Sequence, residues 1–348
     1  MKNNLQNPFG QTPVPSGSPA SSRQVPAKLR VKSQRLGQSV FMKTALPSLL
    51  IFAAVSPMAS AGTKTYDGGV GGTGTAIEVT TNWSPDGLPI TSDEVLLDNS
   101  IITLPSVLTI TGSGTGVTYG DLLVNSNTLT NLSILSGTTS RLITLSNGGG
   151  STAAVAAGGA AGDILLLGTN VTGTVTIGNN AAASTGRVNL ALGADGNFNV
   201  VNSTATANLT GVLSGAFNLT KTGAGTLTLS GVNTWGAAKT FTLSAGTLNL
   251  NSTTALGSAT NTFKISGGTT IDNTSGAAIT LGNNQPMTID GDFTFTGGSG
   301  TTHDLNLGTG AKTLGTSVGT SRTITTSAGT LTIGGIIGNG ATANSIIK

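Results

Sequence analysis

The sequence predicts an all-β protein, a β-solenoid in which short parallel strands stack with about 20–22 residues in each coil. Three features of the chain carry this prediction. Apolar residues recur two positions apart, glycine and asparagine separate the segments that contain them, and one short sequence returns as near copies after 21 and then 22 residues. A period of this size is typical of repeat proteins in which each coil packs on the next.

From Gly62 onward, apolar residues occupy alternate positions in many short segments. Side chains two residues apart lie on the same face of a strand, so each segment is predicted to have one apolar face and one polar face. The pairs are Val175/Ile177, Val188/Leu190, Leu227/Leu229, Leu248/Leu250, Phe263/Ile265, Ile279/Leu281, Met287/Ile289, Phe293/Phe295, Leu305/Leu307 and Leu331/Ile333. We therefore expect a stacked apolar interior and an exterior of Thr, Asn and Ser.

Four near copies of one pentapeptide indicate the predicted period. "GTLTL" begins at Gly225, "GTLNL" at Gly246, "GTTID" at Gly268 and "GTLTI" at Gly329. The opening glycine permits the positive φ angle of a tight turn, and the Thr, Leu and Ile that follow favour extended strands. Each copy is therefore expected to form a turn and a strand, with equivalent residues aligned in ladders between coils.

Composition separates an N-terminal segment from the rest of the chain. The 348 residues include 52 glycines and only 8% charged residues, and residues 1–61 hold seven of the sixteen Lys and Arg but none of the thirteen Asp and Glu. The remainder is therefore acidic overall, which argues against a nucleic-acid partner. Because the chain has no cysteine, its stability must come from strand pairing and packing rather than from disulfides.

Residues 1–61 are predicted to be a basic low-complexity leader that ends in a signal peptide. Lys43 precedes an apolar run from Ala45 to Val55, and the small residues Ala59 and Ala61 flank Ser60, as a signal peptidase site requires. Cleavage is expected after Ala61. The apolar run is shorter than the roughly 20 residues of a membrane-spanning helix, so no span is expected in the mature chain. The sequence leaves open whether translation starts at Met1 or at Met42.

The segment "GAGTLTLSGVNTWGA", from Gly223 to Ala237, and the strand from Ala245 to Leu250 resemble the autotransporter-associated β-strand repeat, whose core reads "GxGTLTLSGxNTYTG". Trp235 stands where that family usually has an aromatic residue. The resemblance implies a right-handed parallel β-helix. It also implies a passenger-like protein at the cell surface, in the outer membrane or outside the cell of a Gram-negative-type bacterium.

The close match covers roughly 30 residues, and a looser likeness extends over about residues 200–348. Trp83 to Asp98 looks like the N-terminal portion of such passengers, so residues 62–110 are expected to cap the first coil and protect its open edge. Residues 111–348 are expected to form the solenoid repeats. The final segment, Gly335 to Lys348, is similar to the lead-in from Gly211 to Lys221, which predicts that the chain is truncated just before another repeat.

One pair of acidic residues is the best catalytic candidate in the sequence. Asp290 and Asp292 lie two positions apart in "IDGDF", so they share one face of a strand or turn. Some β-helical polysaccharide hydrolases and lyases place acidic groups in this way for acid/base work or calcium binding. Such sites also need further carboxylates with Lys or Arg, but Thr, Gly and Ser surround this pair, which favours a solvated turn.

Three other motifs are weaker matches to known sites. Ser317 in "GTSVG" fits a nucleophile elbow, but the only histidine, His303, precedes it in the chain. "GGSGTTHDL" approaches a calcium nonapeptide, but Thr302 stands where the ligand Asp belongs and Asp304 comes two places late. "GTGAKT" lacks the glycine that a phosphate-binding loop needs before Lys312. We expect no catalytic, cofactor-binding or metal site from these motifs.

The sequence therefore favours a non-catalytic exported β-solenoid with an adhesive, matrix or structural role. Its expected partners are surface glycans or other envelope or matrix components, and its oligomeric state stays open. The alternative is a β-helical polysaccharide lyase or hydrolase that uses Asp290 and Asp292. A remote alternative is an ice-binding solenoid. Outward Thr residues in "TLTL" and "TITTSAGTLTI" would form ladders if the coils stack regularly. The coils look too irregular for a long flat array, and Thr is also the polar residue best suited to strands.

Overall fold

The computed structural model describes residues 62–99, 103–110, 116–126, 131–146, 155–179, 186–298, 301–315, 321–340 and 344–348. These residues belong to one compact unit, Pro57–Lys348. The predicted leader with its cleavage site after Ala61, and the candidate nucleophile Ser317, lie outside the described residues.

Short strands dominate the described residues, as the alternating apolar pattern predicts. The strands are β1 (Thr63–Tyr66), β2 (Trp83–Ser84), β3 (Glu94–Leu97), β4 (Val107–Ile110), β5 (Gly116–Tyr119), β6 (Asp121–Val124), β7 (Asn131–Ser136), β8 (Arg141–Leu145), β9 (Asp163–Leu167), β10 (Thr174–Gly178), β11 (Val188–Leu192), β12 (Gly196–Val200), β13 (Thr206–Leu209), β14 (Leu213–Ser214), β15 (Leu219–Thr222), β16 (Thr226–Leu229), β17 (Thr240–Leu243), β18 (Thr247–Leu250), β19 (Thr262–Ile265), β20 (Thr269–Asp272), β21 (Ile279–Thr280), β22 (Met287–Ile289), β23 (Phe293–Phe295), β24 (Leu305–Asn306), β25 (Lys312–Thr313), β26 (Ser321–Thr326), β27 (Leu331–Thr332), β28 (Ile337–Gly338) and β29 (Ser345–Ile347). Two single 3₁₀ turns span Thr80–Asn82 and Thr301–His303. None of the helical segments in this part of the chain has the length and apolarity to cross a membrane.

The strands stack into four sheets, and the chain passes from one sheet to the next as it completes each coil. The largest sheet has twelve strands in the order β2-β1-β3-β6-β9-β12-β15-β17-β19-β22-β25-β28, and the second has ten in the order β29-β26-β23-β20-β18-β16-β13-β10-β7-β4. The third side carries β14-β11-β8-β5 in its first part and β21-β24-β27 in its last part. This arrangement is the parallel β-solenoid that the repeats predict.

Pairing between coils keeps one register along most strands although the coils differ in length. Between β9 and β12 the register shifts by one residue, between Asn197 and Phe198. Thr228 pairs with Asn249, 21 residues later, and Ser321 pairs with Ser345, 24 residues later. Nearer the N-terminus, Asp163 pairs with Asn197 across 34 residues. The extra residues lie in the connections, so they lengthen the coil without displacing the strands.

The predicted division into apolar and polar faces is confirmed. Leu227 pairs with Leu248, and Leu248 pairs with Ile271, which gives an interior column whose side chains are fully buried. The other predicted pairs are buried too, except that Ile279, Leu331 and Ile333 are partly buried against the same core. Each such side chain contributes about 1.5–3 kcal/mol of transfer free energy, which stabilises a chain without disulfides.

Side chains replace strand pairing where the third side has no strand. Asn233 accepts a hydrogen bond from the Leu213 N–H at 2.8 Å and donates one to the Ala255 carbonyl at 2.8 Å, so it joins the coils before and after its own. Trp235 is buried, and its indole N–H donates to the Phe217 carbonyl at 2.9 Å. These contacts explain why "NTW" accompanies the strand sequence in the repeat.

An antiparallel strand covers the first edge of the twelve-stranded sheet. Strand β2 pairs with β1 in the opposite direction, whereas every other described strand pair is parallel. Trp83 of β2 is fully buried, and its ring centroid lies 5.2 Å from that of Tyr66 in an edge-to-face contact. Residues 62–110 were predicted to form a cap. Within this segment, β2 lies at the edge of the twelve-stranded sheet, whereas β3 is a regular parallel strand of the same sheet.

Leu227→Asp should destabilise the solenoid strongly. The substitution removes a fully buried leucine and places a carboxylate in an apolar column, next to Leu248, so the free energy of unfolding should fall by about 4 kcal/mol or more. Chemical denaturation followed by circular dichroism measures the change. Thr226→Asp, which places the same charge on the outer face of the same strand, is the matched control and should cost far less. Equal losses in the two variants would mean that the strand faces are assigned backwards.

Candidate functional site

The two carboxylates of the alternative enzyme hypothesis are bound to different partners on different sheets. Asp290 follows β22, and its Oδ2 lies 2.6 Å from Nζ of Lys264 on the outer face of the twelve-stranded sheet. Asp292 precedes β23, and its Oδ1 accepts a hydrogen bond from the Thr323 N–H of the ten-stranded sheet at 2.7 Å. Each carboxylate thus joins its own coil to a neighbouring one. These contacts stabilise the stacking of the coils.

The described residues of the degenerate calcium motif form hydrogen bonds to neighbouring coils. Oδ1 of Asp304 accepts from the Thr330 N–H at 2.7 Å, and Nδ1 of His303 lies 2.8 Å from the Asn273 carbonyl oxygen. Thr302 is exposed. Within the described ranges, His, Cys, Asp and Glu form no group of three that could hold a metal ion.

Two lysines are buried inside the solenoid and bind main-chain carbonyls. Nζ of Lys221 donates to the carbonyls of Thr222 at 2.7 Å, Gly223 at 2.9 Å and Ala245 at 3.2 Å, which belong to two successive coils. On the adjacent strand the same interior position is occupied by Leu243. Burial lowers the pKa of Lys221 to about 7, whereas the three carbonyls stabilise the charged form.

Lys312, the lysine of "GTGAKT", has the same kind of environment. Its Nζ donates to the carbonyls of Leu307, Gly308 and Gly310 at 3.3, 3.0 and 2.7 Å, and burial lowers its pKa. The ammonium group is therefore turned into the protein and holds the turn that precedes β25. The sequence showed this lysine only as part of an incomplete phosphate loop.

A column of seven threonines runs across the outer face of the ten-stranded sheet. Thr174, Thr206, Thr226, Thr247, Thr270, Thr294 and Thr325 pair in unbroken register on seven adjacent strands. The sequence predicted outward threonines but suggested coils too irregular for a long array. The array is regular because the variable residues lie in the connections and leave the strand register unchanged.

A second column on this face, two residues further along each strand, contains a side-chain hydrogen bond between neighbouring coils. There, Nδ2 of Asn249 donates to Oγ1 of Thr228 at 3.0 Å. By contrast, the hydroxyls of Thr247, Thr270, Thr294 and Thr325 have no protein hydrogen-bond partner within the described part of the chain. Free hydroxyls are therefore concentrated in the threonine column.

A groove runs beside this column, where the chain turns from the twelve-stranded into the ten-stranded sheet. It consists of two shallow depressions that meet at Gly268 and Thr270. The lining residues are Gly223, Ala224, Ser244, Ala245, Gly246, Thr247, Gly267, Gly268, Thr269, Thr270, Asp292, Phe293, Thr294, Thr323 and Thr325. We call this feature the threonine groove.

The threonine groove exists because its floor consists of turns with little or no side chain. Gly246 and Gly268 have φ angles of 71° and 75°, which favour glycine. A Cβ at Gly268 would meet no atom within 4 Å, so the space above this turn is open. The repeated glycines predicted the turns, but only the stacking of coils shows that the turns align into a groove.

No protein-family model, no curated protein and no solved structure matches this chain.

Lys221 should make stability depend on pH in the alkaline range. Its folded pKa of about 7 lies below the value of about 10.4 for an unfolded chain. Between these values the unfolded state binds more protons, so the free energy of unfolding should rise with pH, by up to about 4 kcal/mol. Denaturation midpoints at pH values of about 7 and about 10 measure this rise.

The matched variants are Lys221→Met and Lys239→Met. Methionine fills the interior position but does not titrate, so Lys221→Met should lose most of the rise with pH. Lys239 is partly exposed, and its replacement should leave the rise intact. A Lys221→Met protein with the wild-type pH profile would show that Lys221 does not supply the rise.

Proposed function

We propose that this chain is a non-catalytic, exported, passenger-like β-solenoid with an adhesive, matrix or structural role at the cell surface. The observation that supports it best is the column of free threonine hydroxyls on a regular stack of parallel strands. Such a surface offers repeated, uncharged hydrogen-bonding groups on a scaffold of paired strands. Its partners in this proposal are surface glycans or other envelope or matrix components.

The proposal includes the finer features that the family resemblance implies. The coil is right-handed, with about 20–22 residues in its most regular part, and the chain acts at the surface of, or outside, a Gram-negative-type bacterium. The pairing of Thr228 with Asn249 across 21 residues supports this coil length for the central repeats. The apolar run from Ala45 to Val55 and the small residues at its end support export.

Export predicts a defined new N-terminus and surface exposure. The full chain, produced in a Gram-negative host with a C-terminal tag, should be cleaved after Ala61, because signal peptidase requires small residues at this site. Mass spectrometry of the purified protein identifies the N-terminus. Protease treatment of intact cells then tests whether the tagged chain is accessible at the surface.

A variant with a blocked cleavage site is the control for export. Ala61→Arg should retain the leader, whereas Ala54→Ser, within the apolar run, should be processed normally. An uncleaved wild-type chain that stays in the cytoplasm would contradict the proposal.

The second candidate function, a polysaccharide lyase or hydrolase that uses Asp290 and Asp292, has a direct test. The enzyme hypothesis predicts glycan cleavage that Asp290→Ala abolishes. Because the structure ties Asp290 to Lys264 and Asp292 to the Thr323 N–H, we expect no product from a panel of neutral and acidic polysaccharides. Release of reducing ends or unsaturated sugars by the wild type, but not by Asp290→Ala, would establish the enzyme.

A further inference from the structure

We propose that the threonine groove binds an extended, uncharged polysaccharide that lies along the stacking direction of the coils. This inference rests on the proposed surface function and specifies its binding site and its class of ligand. Four properties of the groove support it: its dimensions, its free hydroxyls, its charge and its floor.

The groove has the form that a linear polymer requires. Its lining residues come from five successive coils, from Gly223 and Ala224 at one end to Thr323 and Thr325 at the other. With about 4.8 Å between neighbouring strands, the groove is about 19 Å long. This length accommodates several sugar rings in a row. The direction is set by strand stacking, so a bound chain would cross the strands rather than run beside one of them.

The polar groups along the groove match a ligand rich in hydroxyls. Thr247, Thr270, Thr294 and Thr325 present hydroxyls at the spacing of the strands, and these hydroxyls have no protein partner within the described residues. A hydroxyl both donates and accepts hydrogen bonds, so a row of hydroxyls can pair with sugar hydroxyls in either direction. The neighbouring paired column, with Asn249 bound to Thr228, has less capacity for a ligand.

The charge of the groove favours a neutral polymer over an acidic one. Asp292 is the only charged side chain among the lining residues. Lys221 lies beneath the floor, fully buried, with its ammonium group bound to three carbonyls. An acidic glycan would therefore meet a carboxylate at one end of the groove and find no exposed cation along its lining.

The shape of the groove separates this ligand from ice. An ice surface needs a flat array, whereas four threonines of the column, Thr247, Thr270, Thr294 and Thr325, line two shallow depressions. Gly268 at the centre has open space where a side chain would stand. A polymer that lies against the threonine hydroxyls can fill this space with a sugar ring.

The test measures binding of the full chain to immobilised cellohexaose, α-mannan and dextran, with polygalacturonate and heparin as acidic probes. We expect binding to at least one neutral glycan and weaker binding to both acidic ones. Thr247→Val/Thr270→Val/Thr294→Val removes three hydroxyls with little change in shape and should weaken this binding at least about tenfold. Gly268→Asn, which fills the centre of the groove with a residue that tolerates a positive φ angle, should weaken it to a similar extent.

The matched control is Thr220→Val/Thr242→Val/Thr288→Val on the outer face of the twelve-stranded sheet. It removes the same number of hydroxyls outside the groove and should bind as the wild type does. Circular dichroism and denaturation midpoints establish that each variant is folded. Three outcomes would overturn the inference. The groove variants could bind as the wild type does, or the acidic probes could bind more strongly than the neutral glycans. The third outcome is a protein that binds no glycan but shapes ice, with the ice shaping lost in the groove variants.

Surface accessibility distinguishes failure of this inference from failure of the proposed function. A chain that protease reaches on intact cells, but that binds none of the neutral glycans, would retain its surface role and lose the glycan site. A chain that is never exported, whatever it binds in solution, would contradict the surface role instead.

Discussion

Parallel hydrogen bonding between successive coils is the constraint on which the rest of the structure depends. Each strand pairs with the equivalent strand of the coil before and the coil after, so every residue in a strand becomes part of a column. A column that faces inward is mainly apolar, as in Leu227, Leu248 and Ile271. Outward columns are free to repeat one polar residue, which is how a threonine array arises without any requirement from the core.

Exceptions to the apolar interior show how the fold accommodates polar groups. Lys221 and Lys312 occupy interior positions, and both direct their ammonium groups to carbonyl oxygens at the turns. A buried polar group is costly unless it is hydrogen-bonded. Here the same contacts satisfy the lysine and supply a donor to each of these main-chain carbonyls.

Carboxylates have a related role on the surface. Asp292 and Asp304 each accept a hydrogen bond from a main-chain N–H of a later coil, and Asp272 accepts one from the Gly297 N–H at 3.0 Å. Hydrogen bonds to an ionised group are stronger than those between neutral groups. Acidic residues that a catalytic interpretation would pair with each other therefore act in the structure as bridges between coils.

The sequence by itself determined the class of fold, the faces of the strands and the place of many turns. These features are local, because alternation of apolar residues and glycine at turns depends on neighbours in the chain. The pair Leu227 and Leu229 could therefore be assigned to the interior from their spacing alone. The recurrence of "GTLTL" at Gly225 and "GTLNL" at Gly246 likewise predicted stacking before any contact was known.

Only the tertiary structure decided which polar groups come together. Asp290 and Asp292 are two residues apart in sequence, yet their partners Lys264 and Thr323 lie on different sheets and distant segments. The offset between coils also determines how deeply Lys221 is buried. It likewise aligns Gly268 and its neighbours into a groove. That offset varies from 20 to 47 residues, so it is set by long-range strand pairing and cannot be read from any one repeat.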